Sequence, residues 1–133
     1  MDVDSGTIRI FLHLVAVSVW VGGQIVLVGL LPVLRGMGDD APAKVARQFN
    51  RVAWPAFALA LATGVWNLFE VDLADRSTGY QVTLFVKLVL VALSGVGAWL
   101  HATAERRVDM AVWGAVTGIA SIAAMFFGTM MVT

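Results

Sequence analysis

The stretch IFLHLVAVSVWVGGQIVLVGLLPVL, residues 10–34, decides the fold. It runs for 25 residues without an Asp, Glu, Lys or Arg. A helix needs about 20 such residues to cross a bilayer. A soluble amphipathic helix of that length shows a charged face, and this one has none. Three further stretches read the same way: VAWPAFALALATGVWNLF (52–69), YQVTLFVKLVLVALSGVGAWLHATA (80–104) and MAVWGAVTGIASIAAMFFGTMMV (110–132). With the first span extended to about 7–34, the expectation is an all-α, integral membrane four-helix bundle forming one domain.

Composition agrees. Of 133 residues, 59% are hydrophobic and 14% charged, and the mean hydropathy is +0.85. Soluble domains carry about 45–50% apolar and about 25% charged residues. Nine basic and nine acidic residues cancel, so no nucleic-acid partner is expected. There is no cysteine, which removes disulfides, thiolate metal sites and cysteine nucleophiles. The opening MDVDSGTIRI has no basic region ahead of the first apolar run. That run is also longer than a signal-peptide core, so it reads as a retained helix.

Basic residues orient the chain. Arg35, Lys44, Arg47 and Arg51 crowd the first loop, and Arg106 and Arg107 the third. The N-terminal segment has only Arg9, assigned to the outer headgroups. The second loop has only Arg76, beside Glu70, Asp72 and Asp75. Loops one and three are therefore expected in the cytoplasm, and both termini outside. Residues 41–54 read as a cytoplasmic amphipathic extension of the second helix. Asp40 is placed to cap it, Pro42 opens it, and basic residues recur at 44, 47 and 51. This basic face suits anionic headgroups, and a solvated charged turn is the plain alternative. Pro55 is expected to kink the helix at the membrane.

Ionisable groups inside a span default to function. His13, Lys87 and His101 are the candidates. At 1.5 Å per residue, His13, Lys87 and Met125 each fall roughly 9–10 Å below the outer surface. Met130 and Met131 sit above this layer, and Thr63, Trp66 and Asn67 of the second span share its outer third. His101 lies roughly 20 Å further along than Lys87. Seven-residue spacing puts His13, Trp20 and Gln24 on one face, with Lys87, Ser94 and His101 on another. Thr117, Ser121 and Met125 repeat every four. The expectation is a polar seam running inward from the His/Met layer, supported by Trp20, Gln24, Trp66, Asn67, Ser94 and His101.

Imidazole and thioether together favour Cu(I) over harder ions. His13 with Met125, Met130 and Met131 is therefore the candidate metal set, with packing as the plain alternative for the last two. The spans hold no carboxylate, which argues against calcium or di-iron sites. Haem b is the alternative cofactor, with His13 as axial ligand and Lys87 meeting a propionate. Small-residue patches at Gly22-Gly23, Gly95/Gly97 and Gly114/Gly118 allow close helix approach. The last is a candidate face for a homo-oligomer or a larger membrane complex. No catalytic motif is present, so the chain reads more readily as a non-enzyme.

Several of these residues carry a resemblance. The run FLHLVAVSVWVGG (11–23) is similar to the H-L-x(5)-W-x-G-G opening of the CopD copper-resistance membrane domain. Phe49 to Thr63-Gly64 resembles that family's F-x-R…T-G second helix. Tyr80 to Leu88 resembles its Y-G-x-x-L-x-x-K-L third helix, with Gly79 before the Tyr instead of after it. The resemblance implies a multi-pass protein of the bacterial plasma (inner) membrane, linked to copper uptake or tolerance. The HemJ-type protoporphyrinogen oxidases share the skeleton. His13, Pro55, Gly64, Lys87 and His101 are the matching positions, and that resemblance implies a haem-dependent redox protein.

Overall fold

A computed structural model describes residues 2–133. Among them there is no strand, and four helices are long and apolar enough to cross a membrane. We label these α1 (Ser5–Gly36), α2 (Ala41–Phe69), α3 (Thr78–Thr103) and α4 (Arg107–Met130). The protein is thus an all-α, multi-pass membrane protein. Side chains such as Phe11, Val28, Ile119 and Phe126 are exposed, as helices bathed in lipid require. Buried positions are mostly small or hydroxylated: Ala16, Ala53, Thr63, Ser94, Thr117, Ala120, Ser121 and Ala124. Close packing of small residues, not burial of large ones, holds helices together where the solvent is itself apolar.

The chain divides into two compact units, Met1–Val71 and Asp72–Thr133. The first is the α1–α2 hairpin. The pairings Arg9–Glu70, His13–Thr63, Trp20–Phe57 and Gly23–Phe49 run oppositely along the two helices. α1 begins on a cap: the Asp4 carboxylate accepts from the Thr7 N–H at 2.7 Å and from the Thr7 hydroxyl at 2.8 Å. Midway, Ser18–Gly22 widens into a π turn. Such single turns are rare and often sit near functional positions. Two side chains brace it. The Ser18 hydroxyl donates to the Leu14 carbonyl at 2.7 Å, and the Gln24 amide to the Trp20 carbonyl at 3.0 Å. Gln24, expected to line a polar seam, therefore bonds to the backbone of its own helix. Trp20 packs at 4.4 Å from Phe57 and edge-on to Trp54 at 5.3 Å, ring centre to ring centre. Such aromatic pairs add to plain burial.

α2 is continuous from Ala41, so the expected amphipathic extension and the second span are one helix that passes through Pro55. Asp40 stands at its N-cap position, but no side-chain cap forms. Instead the Asp40 carboxylate meets Lys44 at 2.9 Å, one turn on.

The second unit is the α3–α4 hairpin. Ser77 caps α3, accepting from the Tyr80 N–H at 3.2 Å. The Gln81 amide ties down the preceding loop by donating to the Leu73 carbonyl at 2.7 Å. Gly97 sets the crossing: a Cβ there would lie 3.1 Å from the Thr117 backbone nitrogen. Beside it the Thr117 hydroxyl donates to the Ser94 carbonyl at 2.7 Å, and the two hydroxyl oxygens are 3.3 Å apart.

Candidate functional site

His13 is the best-defined candidate. It projects from α1 towards α2, where its Nδ1 lies 2.8 Å from the Thr63 hydroxyl oxygen. Thr63 has one hydroxyl hydrogen, and the Leu59 carbonyl sits 2.7 Å away to take it. The hydroxyl therefore accepts from the Nδ1–H of His13. A metal-binding imidazole is characteristically held this way, its second nitrogen donating to a fixed acceptor. Gly64 follows Thr63, and a Cβ there would contact the imidazole Cε1 at 3.6 Å, an ordinary packing distance.

One turn nearer the N-terminus, Arg9 closes the same end of the hairpin. Its Nη1 is 3.6 Å from Glu70, and its guanidinium lies 6.0 Å from the centre of the Trp66 ring. The Arg9 side chain is only 15% exposed. Its guanidinium is thus packed within the hairpin end, against Glu70 and Trp66. Glu70 is the C-cap of α2, where the helix dipole disfavours an anion. Arg9 brings a cation to that end, with its Nε buried and without an acceptor among the described residues. Trp66 is 39% exposed and Asn67 half-buried beside it.

In the second hairpin, Lys87, Ser94 and His101 form one face of α3, and all three meet α4. The Lys87 ammonium lies over Gly128, 3.2 Å from where a Cβ would be. Gly128 belongs to the last turn of α4, whose outward carbonyls favour a cation. Lys87 makes no ion pair with a described residue. His101 Nδ1 is 2.6 Å from the Met110 carbonyl, which can only accept, so this nitrogen too carries the proton. The ring also fills the space above Gly114, at 3.0 Å from the would-be Cβ. His101 therefore locks the two helices near their tight turn.

The methionines do not gather. Met125 is 44% and Met130 49% exposed on α4. Five residues separate them, which places them about 140° apart around the axis. Met131 is the C-cap that follows. Of the stripe Thr117–Ser121–Met125, the first two are buried and the third is not. The glycine pair also splits: Gly114 is covered by His101, whereas a Cβ on Gly118 would meet nothing within 4 Å. Gly114 thus packs within the hairpin, and Gly118 is left open. No group of three or more His, Asp or Glu is set for a metal among the described residues.

Sequence reasoning missed Glu70 as the partner of Arg9, Gly128 as the floor under Lys87 and Met110 as the acceptor for His101. No local pattern encodes such pairings. It also missed the Asp4 and Ser77 caps, and there the signal was available: each is a short polar residue just ahead of an apolar run.

No family model, curated protein or solved structure matches the chain. The fold and these contacts define a multi-pass membrane protein with a hydrogen-bonded histidine inside its first hairpin.

Proposed function

We propose that this is a CopD-like plasma-membrane protein of bacterial type that binds Cu(I) through His13 and serves copper uptake or tolerance. The observation that carries the reading is the His13–Thr63 pair, which orients an imidazole between two membrane helices by a hydrogen bond to one ring nitrogen, as supporting partners of metal-binding histidines do. The motif resemblance across the first three helices supports it. So does the lack of any Asp or Glu within the apolar spans, which leaves imidazole and thioether as the available donors. Met125 is the thioether proposed to join His13, with Met130 and Met131 further out. Both termini are proposed to face outside, from the distribution of Arg and Lys.

The test is a Cu(I) titration of the detergent-purified protein against a competing chelator. The His13→Ala, Met125→Ala double variant is expected to lose most of the affinity. Binding as tight as the parent's sinks the reading.

One observation favours a second reading. The α1–α2 hairpin supplies one fixed imidazole nitrogen, and a haem brings its own four nitrogens and needs only one from the protein. His13 would then be the axial ligand of a b-type haem, and Lys87 would meet a carboxylate. The absorption spectrum separates the two readings. A Soret band that shifts on dithionite reduction supports haem, and a colourless preparation from haem-replete cells removes it.

A further inference from the structure

At 1.5 Å per residue, the 29 residues of α2 span about 43 Å. The hydrocarbon core of a bilayer is about 30 Å thick. The excess of about 13 Å falls at the Ala41 end, because the apolar stretch is residues 52–69. This end of the helix therefore stands at headgroup level.

Two residues fix which face of it looks inward. The Phe49 ring lies over Gly23 of α1, its Cζ 3.1 Å from the would-be Cβ and its Cε2 closer still. Ala53, one turn on, is 0% exposed. Lys44, Arg47 and Arg51 point the other way. At 100° per residue they cluster about 180° from the Phe49/Ala53 direction, and all three are exposed. They differ in pairing. Lys44 is held at 2.9 Å by Asp40. Arg47 and Arg51 make no ion pair with any described residue. Two guanidinium groups thus stand at the headgroup level of a membrane helix, one turn apart, with no carboxylate partner among the described residues. The guanidinium fork matches a phosphate with two parallel N–H···O bonds.

We propose that Arg47 and Arg51 form a docking face for the phosphates of anionic phospholipids, and that Lys44, neutralised by Asp40, takes no part. This is independent of whether His13 binds copper or haem.

The test uses the full-length protein in liposomes mixing phosphatidylglycerol with phosphatidylcholine. After gentle detergent extraction, mass spectrometry reads the ratio of the two lipids retained. The parent is expected to enrich phosphatidylglycerol by about fivefold or more over the bulk ratio. The double variant Arg47→Gln, Arg51→Gln is expected to return to the bulk ratio, and Lys44→Gln to keep the enrichment. A thermal melt of each variant checks folding. If the double variant does not fold, Arg47→Lys with Arg51→Lys keeps the charge, loses the fork and is expected to show reduced enrichment. No enrichment in the parent overturns the proposal. Full enrichment in the Gln or Lys pair, or loss in Lys44→Gln equal to that of the Gln pair, overturns the assignment to the two arginines. Displacement of the lipid by inorganic phosphate alone shows a free-anion site and overturns the lipid docking face.

Discussion

The Nδ1–H of His13 donates to the hydroxyl of Thr63 at 2.8 Å, across fifty residues of sequence and between two membrane helices. The direction of this bond is set by a third group, the Leu59 carbonyl that takes the Thr63 proton. Backbone carbonyls of α2 thus orient the hydroxyl that receives the imidazole N–H.

Thr63→Val removes the hydroxyl that accepts from the half-buried imidazole. Stability is expected to fall by about 1–3 kcal/mol, read by denaturant unfolding in detergent micelles. Thr63→Ser keeps the oxygen and is expected to stay close to the parent. On the copper reading, Thr63→Val also weakens Cu(I) affinity by about 10–100-fold, the usual cost of losing such a supporting partner. Unchanged stability in Thr63→Val would show that the bond contributes nothing to the hairpin.

Gly97 and Gly118 should respond oppositely to alanine. At Gly97 the added Cβ meets backbone, the Thr117 nitrogen at 3.1 Å, and α4 must give way by a few tenths of an ångström. A loss of about 1–3 kcal/mol is expected. At Gly118 nothing lies within 4 Å. Helix propensity alone then makes Gly118→Ala neutral to stabilising, by up to about 1 kcal/mol. Melting temperatures of the two variants in one detergent check both signs together.

Gly128 is a softer constraint. What a Cβ would meet there is the far end of a flexible side chain, the Lys87 ammonium and its neighbouring methylene. Gly128→Ala is expected to fold as the parent does. Gly128→Val displaces the ammonium from the last turn of α4 and is expected to raise the labelling rate of Lys87 by a water-soluble amine reagent. Equal labelling in parent and variant would show that Lys87 does not rest against this turn.

Asp4 makes the first turn of α1 sensitive to acid. The Thr7 backbone N–H, then the Thr7 hydroxyl, bond to its carboxylate and hold its pKa below the ordinary carboxylate value. A carboxylate whose folded pKa lies below its unfolded one stabilises the fold above the unfolded value. That contribution is lost as pH falls through the lowered folded value. The Thr7 amide resonance should therefore titrate with a midpoint below the ordinary carboxylate range and move to a frayed position at the acid end. Asp4→Asn, itself a good cap, should abolish the titration while keeping the turn. A midpoint at or above the ordinary value would show that the cap does not form.

Phe11, Val28, Ile119 and Phe126 explain why the membrane class was legible in the sequence. Their burial is by lipid, so composition over 20 or so residues suffices and no neighbour need be known. Helix faces were legible for the same kind of reason. The seven-residue spacing of Lys87, Ser94 and His101 is a property of one helix, and all three do meet α4. The N-terminal extension of α2 was legible from Pro42 and the 44–47–51 spacing. Met125 shows where such reasoning stops: its spacing from Thr117 and Ser121 pointed inward, yet it is nearly half exposed.

By itself, then, the sequence determined that the chain crosses a membrane four times in helices, roughly where each begins, and that His13, Lys87 and His101 lie within them. Those facts follow from hydrophobic length and helical period, which are local. Only the tertiary structure decided that Arg9 answers Glu70, that Thr63 holds the His13 imidazole, that Gly128 underlies Lys87 and that His101 is a helix lock. It alone revealed the π turn at Ser18–Gly22, which has no compositional signature. Each of these depends on the rotation and register of one helix against another. Close contact of small residues sets that register, and no pattern within a single helix carries it.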